Sequence, residues 1–117
     1  MAKFQLSLED LENLKSKRRK NKFGAKPTTI DGIRFSSKKE GDWYRNLQHR
    51  QNIGEIKCFL RQVPFHLPGG IRYVIDFMII NNDDTVEFIE CKGYMTQVAS
   101  IKIKQASDIY KVKINVV

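Results

Sequence analysis

The sequence is short of cysteine, histidine, proline and long apolar runs, and each shortage removes a class of protein. Cys58 and Cys91 are the only cysteines and lie far apart inside apolar stretches, so neither zinc-type pairing nor a disulfide framework is indicated. Both are expected to be small buried residues. His49 and His66 lack metal-ligand spacing and are expected to be structural or surface residues. No apolar run comes near the roughly 18 residues that span a bilayer, and the opening M-A-K-F-Q-L-S-L-E-D lacks the apolar core of a secretion signal. A cytoplasmic protein with no membrane partner is expected. Pro27, Pro64 and Pro68 each mark a break, and there are no internal repeats.

Acid is also missing locally, because no Asp or Glu occurs between Asn13 and Ile30. The same region holds Lys15, Lys17, Arg18, Arg19, Lys20, Lys22 and Lys26, the strongest charge block in the chain. With a formal net charge of +8 and a pI near 9.6, a polyanionic partner is expected, and nucleic acid is the commonest for a basic domain. The competing reading is a solvated basic surface. At 117 residues and 41% hydrophobic content, one packed core is the simplest organisation. Residues 1–29 read as an N-terminal helix and basic arm, and 30–117 as the domain proper.

Ser7-x-x-Asp10 resembles a capping box, and Leu8, Leu11 and Leu14 form a narrow apolar stripe on the helix it would start. That stripe suits docking on a partner or on the domain itself. Ile30 to Phe35 reads as a tight turn leading into a short extended piece. Ser36 and Ser37 are N-cap candidates for a helix running to about Ile53, with Gly54 as its stop. Glu40, Tyr44 and Leu47 then share the face that packs on the core. Glu40 has two readings: a carboxylate aimed at a functional site, or the reciprocal half of a Ser37-x-x-Glu40 capping box. Gly41 weakens the helix by roughly 1 kcal/mol relative to Ala, which is compatible with close approach of a ligand or strand. Glu55 to Leu67 reads as a strand that Pro64 breaks or moves to an edge. Thr96 to Tyr110 has helical spacing in Val98, Ile101 and Ala106, with Lys102 and Lys104 on other faces as candidate phosphate contacts. Lys111 to Val117 alternates as a final strand. The order predicts a mixed α/β or α+β sheet, a three-strand antiparallel meander flanked by helices.

The most informative stretch is Ile71 to Gly93, two apolar runs joined by N-N-D-D-T, which predicts a β-hairpin. Asp76 interrupts the first run, and Glu90 and Lys92 close the second. A buried carboxylate is costly unless it is paired or bound to metal, so these charges need a reason. A five-residue turn, Asn81 to Thr85, would set Ile80 opposite Val86 and Asp76 opposite Glu90 on one face; a four-residue turn would put them on opposite faces unless a bulge intervened. Converging carboxylates with open water positions suit Mg²⁺, with Mn²⁺ able to substitute, and such a site can hydrolyse a phosphodiester. Asp76 and Glu90 are the candidate metal ligands, the backbone carbonyl of Cys91 can add an oxygen, and Glu40 can complete the set. Lys92 can orient the attacking water or stabilise transition-state charge. Gln62 is either a further polar group near this site or an ordinary edge-strand residue. Tyr94 and Met95 read as core or turn packing.

Asp76, then Glu90-x-Lys92, preceded by the helical Glu40, resembles the PD-(D/E)XK nuclease superfamily, with Ile75 in the place of the proline. The order of helix, meander, helix and strand from about Phe35 to Val117 is similar to that restriction-endonuclease-like fold. Small phage nucleases and Holliday-junction resolvases of the endonuclease I kind are the nearest in pattern. The resemblance implies that Asp76 and Glu90 are metal ligands, Lys92 the catalytic lysine and Glu40 the helical acid. It implies a Mg²⁺-dependent DNA endonuclease, acting on branched or structured DNA as a homodimer, of phage or mobile-element origin. Alternatives are a sequence-specific or nicking nuclease of repair or restriction, and a non-catalytic nucleic-acid-binding domain whose hairpin acids form salt bridges with Lys92 and Arg72.

Overall fold

The computed structural model describes residues 26–117 as two helices and two sheets in a mixed α/β arrangement. The helix expected from Ser7 and the basic residues Lys15 to Lys22 lie outside the described residues. Strands β1 (Thr28–Ile30) and β2 (Ile33–Phe35) form a small antiparallel hairpin, closed by Asp31 and Gly32, both at positive φ (53° and 75°). That is the backbone a tight two-residue hairpin turn requires, and Asp-Gly suits it. Sequence reading expected the turn and the extended piece after it but not β1.

Helix α1 (Lys38–Asn52) follows, capped by the Ser37 hydroxyl, which accepts the Glu40 N–H at 3.2 Å. It ends at Ile53 and the left-handed Gly54 (φ 78°), close to the expected stop. Glu40, Gly41, Tyr44 and Leu47 are its buried residues, as the spacing predicts. The close approach at Gly41 is made by β1: a Cβ there would stand 2.6 Å from the Thr28 Cγ2 and 3.0 Å from the Ile30 Cδ1. Only a residue without a side chain lets the hairpin lie against the helix.

The main sheet has the order β3-β4-β5-β6, from β3 (Ile56–Leu67), β4 (Ile71–Asn81), β5 (Val86–Glu90) and β6 (Ile114–Val116). The first three are an antiparallel meander, and β6 runs parallel to β5 after a crossover through helix α2 (Gln97–Tyr110). β3 is the edge strand, which is how Pro64 is accommodated opposite Val74. The final strand is shorter than the alternation from Lys111 suggests, because Lys111 takes a left-handed C-cap conformation (φ 54°) at the end of α2.

Two buried clusters hold the sheet to the helices. One gathers Phe35, Tyr44 and Leu47 with Phe77, Ile79 and Ile89; the other gathers Phe65, Leu67, Tyr73 and Ile75 with Phe88, Ala106 and Ile114. Phe77 and Ile75 are neighbours on one strand, yet they fall in different clusters. The same change occurs on β3, where Phe59 packs with the first cluster and Val63 with the second. The long β3–β4 ribbon therefore passes from α1 to α2 at the level of Gln62 and Asp76.

Of the three residues expected to mark the inner stripe of α2, only Ala106 is buried: Val98 and Ile101 are 61% and 51% exposed, and Ile103 packs beside Ala106 instead. Alanine at the contact lets the helix lie close to the sheet, and Tyr110 adds a hydrogen bond from its hydroxyl to the His66 carbonyl (2.7 Å). Lys102 is half-buried and Lys104 exposed. Tyr94 and Met95 are exposed rather than core residues, and both cysteines are half-buried. His49 and His66 are exposed.

Candidate metal centre

The β4–β5 pairing runs Ile80 with Val86, Ile79 with Glu87, Met78 with Phe88 and Phe77 with Ile89. One step further sets Asp76 opposite Glu90. The turn that fixes this register is held by Asn81 N–H to Thr85 O (2.9 Å) and Asp84 N–H to Asn81 O (3.0 Å), with Asp84 at φ 68°. The Asp83 carboxylate accepts from the Thr85 N–H and hydroxyl. Those bonds hold its pKa below the usual Asp value. The longer of the two expected turns is the one formed.

Asp76 and Glu90 are in hydrogen-bonding contact, and Asp76 Oδ2 also accepts the Cys91 N–H at 2.8 Å. Glu90 is only 2% exposed. Burial, then the Glu90 carboxyl beside it, raises Asp76 well above the ordinary carboxylate range, to about 7. Two carboxylates this close resist double ionisation, so Asp76 holds its proton up to near neutral pH. The Tyr73 hydroxyl donates to Glu90 Oε2 at 2.5 Å, and burial together with that acceptor keeps the phenol protonated. Lys92 Nζ lies 5.8 Å from the centre of the Tyr73 ring, close enough for its charge to favour ionised Asp76. The β6 end secures this strand: Val117 N–H bonds Glu90 O (3.0 Å) and Lys92 N–H bonds Val117 O (3.3 Å).

Glu40 reaches the same place from α1. It is 4% exposed, and its proton affinity is raised by burial and then by the charge of Asp76. Its Oε2 accepts from the Ser36 hydroxyl (2.9 Å) and its Oε1 from Gln62 Nε2 (3.2 Å). Ser37 does cap the helix, but the Glu40 side chain makes its bonds elsewhere, so the reciprocal half of a capping box is missing. Gln62 stands opposite Asp76 in the β3–β4 register, in a left-handed conformation (φ 54°) that costs a non-glycine residue roughly 1–2 kcal/mol. Its neighbour Arg61 stacks its guanidinium 4.6 Å from the Phe35 ring and 5.9 Å from that of Tyr44, and its charge opposes the rise at Glu40. The Cys91 thiol is pushed up to about 12, first by burial and then by Asp76, Glu40 and Glu90. Lys39, on the first turn of α1, is the cation that acts on it from the other side.

Glu40, Asp76, Glu90, Cys91 and Lys92, all singled out from sequence, thus come together. Lys39, Arg61 and Tyr73 join them without having been singled out, and Ser36, expected only as an N-cap candidate, joins through Glu40. Strict strand alternation places Tyr73 and Asp76 on opposite faces, and no sequence signal marks the change of packing at Gln62 that brings Tyr73 to Glu90. Lys26 and Lys104 are exposed and, with Lys102, stand outside this group. Among the described residues the ion pairs Arg50–Glu55 (3.4 Å) and Lys57–Asp84 do not involve Asp76 or Glu90, and Arg72 is exposed.

Among the described residues, no three His, Cys, Asp or Glu side chains are close enough to form a metal cage. A hard cation does not need one. Mg²⁺ is commonly held by one or two carboxylates and retains several waters. Asp76 and Glu90, held in contact, fit that demand, and the Cys91 carbonyl adjoins them in the chain.

No curated protein and no solved structure matches the chain. Residues 20–116 match the family described as "Protein of unknown function (DUF1064)", which spans both helices and every strand of the main sheet. The chain therefore belongs to the DUF1064 family.

Proposed function

We propose that the protein is a metal-dependent DNA endonuclease of the PD-(D/E)XK kind, using Mg²⁺ or Mn²⁺ and acting in the cytoplasm on double-stranded, including branched, DNA. The observation that carries this reading is the register that sets Asp76 against Glu90, with Glu40 buried beside them and Lys92 two residues on. A divalent cation bound there would neutralise phosphate charge and lower the pKa of a coordinated water. Asp76 and Glu90 would hold it, with Asp76 giving up its proton on binding. Tyr73 fixes the Glu90 carboxylate, and Cys91 N–H fixes that of Asp76. Lys92 brings a positive charge to the rim of the pair, where negative charge grows on the phosphate. Glu40, with its raised proton affinity, is suited to take a proton from the incoming water. Cutting both strands of a junction needs two such sites, which a symmetric homodimer supplies.

The test is incubation with supercoiled plasmid and with a four-way junction, with and without Mg²⁺ or Mn²⁺. Cleavage is expected only with metal, and Asp76→Asn and Glu90→Gln should abolish it while DNA binding persists. Folded protein that cuts no DNA or RNA under any of these conditions refutes the reading and leaves a non-catalytic nucleic-acid-binding domain.

A further inference from the structure

Outside the acid cluster, the outer face of α1 and the segment leading into β1 enclose an open pocket of about 200 Å³. Lys26, Lys38 and Arg45 line it, with Asp42 the one acid and Pro27 and Ile30 among its apolar residues. Lys38 and Arg45 are seven apart on α1, so they lie on one face, and Lys26 arrives from a different segment. Three cations thus surround a concavity with one anion to offset them. Lys38 stands in the first turn of α1, where the helix dipole disfavours positive charge. An anion in the pocket would offset the charge of all three cations.

The position gives the pocket a direction. Lys38 faces the pocket, whereas the next residue, Lys39, acts on Cys91 at the acid cluster, and Glu40 belongs to that cluster. One turn of α1 therefore connects the two places. We propose that the Lys26–Lys38–Arg45 pocket is a phosphate subsite that grips the nucleic-acid backbone flanking the bond held at the acid cluster. This rests on the nucleic-acid substrate of the proposed function, but not on cleavage.

The experiment is a salt titration of the full-length protein binding a labelled DNA duplex in EDTA, so that no cutting intervenes. Each phosphate contact contributes about 0.9 to the slope of log affinity against log salt, so one contact accounts for about a 3.5-fold loss between about 50 and 200 mM. Lys38→Gln with Arg45→Gln should lower the slope by about 1 to 2. Asp42→Asn, which removes the pocket's one acid, should tighten binding. Lys57→Gln, at a lysine that meets Asp84 in the β4–β5 turn and lies outside the pocket, should change the slope less than the double variant. Thermal melts confirm that each variant is folded; all substituted side chains are exposed. An unchanged slope in the double variant, a change no larger than that of Lys57→Gln, or absence of DNA binding by the parent protein would overturn the subsite. A parent protein that cleaves DNA while the double variant keeps the full slope would sink this proposal and leave the nuclease standing. Loss of slope in a protein that never cleaves would do the reverse.

Discussion

Replacing Asp76 by Asn should make the metal-free protein more stable as the pH rises while abolishing the proposed nuclease activity. In the folded chain Asp76 titrates at about 7 instead of its ordinary 3.8, because it is buried and touches Glu90. A folded-state pKa above the unfolded value means that the folded protein binds the proton more tightly. The stability this confers is complete below about pH 3.8 and is lost as the pH climbs towards 7. At about 1.4 kcal/mol per pH unit, ionising Asp76 in the folded protein costs at most about 4 kcal/mol, with water at its partly exposed edge reducing this to about 2. Asn cannot ionise, its carbonyl can accept the Cys91 N–H, and its amide can donate to Glu90. In EDTA at about pH 8, Asp76→Asn should therefore melt roughly 10 °C above wild type, at 4–8 °C per kcal/mol for a domain of this size. At about pH 5 the difference should shrink towards zero. Adding Mn²⁺ or Mg²⁺ at the higher pH should raise the melting temperature of wild type and not of the variant. A variant less stable than wild type at about pH 8, or an advantage that does not depend on pH, would show that the two carboxyls are not in conflict and would remove the electrostatic reason for a cation there.

Gly41→Ala should destabilise the protein, although alanine is the better helix former by roughly 1 kcal/mol. The overlap with Thr28 and Ile30 costs about 1–3 kcal/mol in overpacking, so urea titration should give a net loss of about 1 kcal/mol, and a gain would refute the close packing of β1 on α1. Gln62→Gly should be more stable than Gln62→Ala by about 1 kcal/mol, the reverse of the usual order in a strand, because the position is left-handed. On the proposed nuclease reading both should cut more slowly than wild type, since both remove the donor to Glu40; equal stability of the two variants would contradict the backbone conformation.

The site acids were legible because charge inside an apolar strand is conspicuous, but counting residues left two turns open, and only the register of Ile80 with Val86 chose the one that aligns Asp76 with Glu90. The inner face of α1 was legible for a similar reason: Tyr44 and Leu47 leave only one way to bury the helix. Helix α2 offers two stripes of comparable apolarity, one through Val98, Ile101 and Ile109, the other through Ile103, Ala106 and Tyr110. The second wins because alanine permits close approach and Tyr110 finds a carbonyl, and neither is visible as hydrophobicity. Tyr73 and Arg61 were missed because their roles depend on where the ribbon changes helix. That point is marked by a glutamine in a conformation usually left to glycine, which a pattern of apolar and polar letters does not reveal.

The passage of the β3–β4 ribbon from one core cluster to the other has a consequence for how damage would register in this protein. Asp76 and Gln62 sit at the joint, with Phe77 anchored to one cluster and Ile75 to the other. A cavity made far away, at Leu47 or at Ala106's neighbour Ile103, should therefore disturb the joint through the half of the ribbon it supports, and the acid pair would report whether both halves of the interior have closed. If the pair holds a cation as proposed, variants weakened in either half should bind Mn²⁺ less tightly while circular dichroism still reports their helices and strands intact.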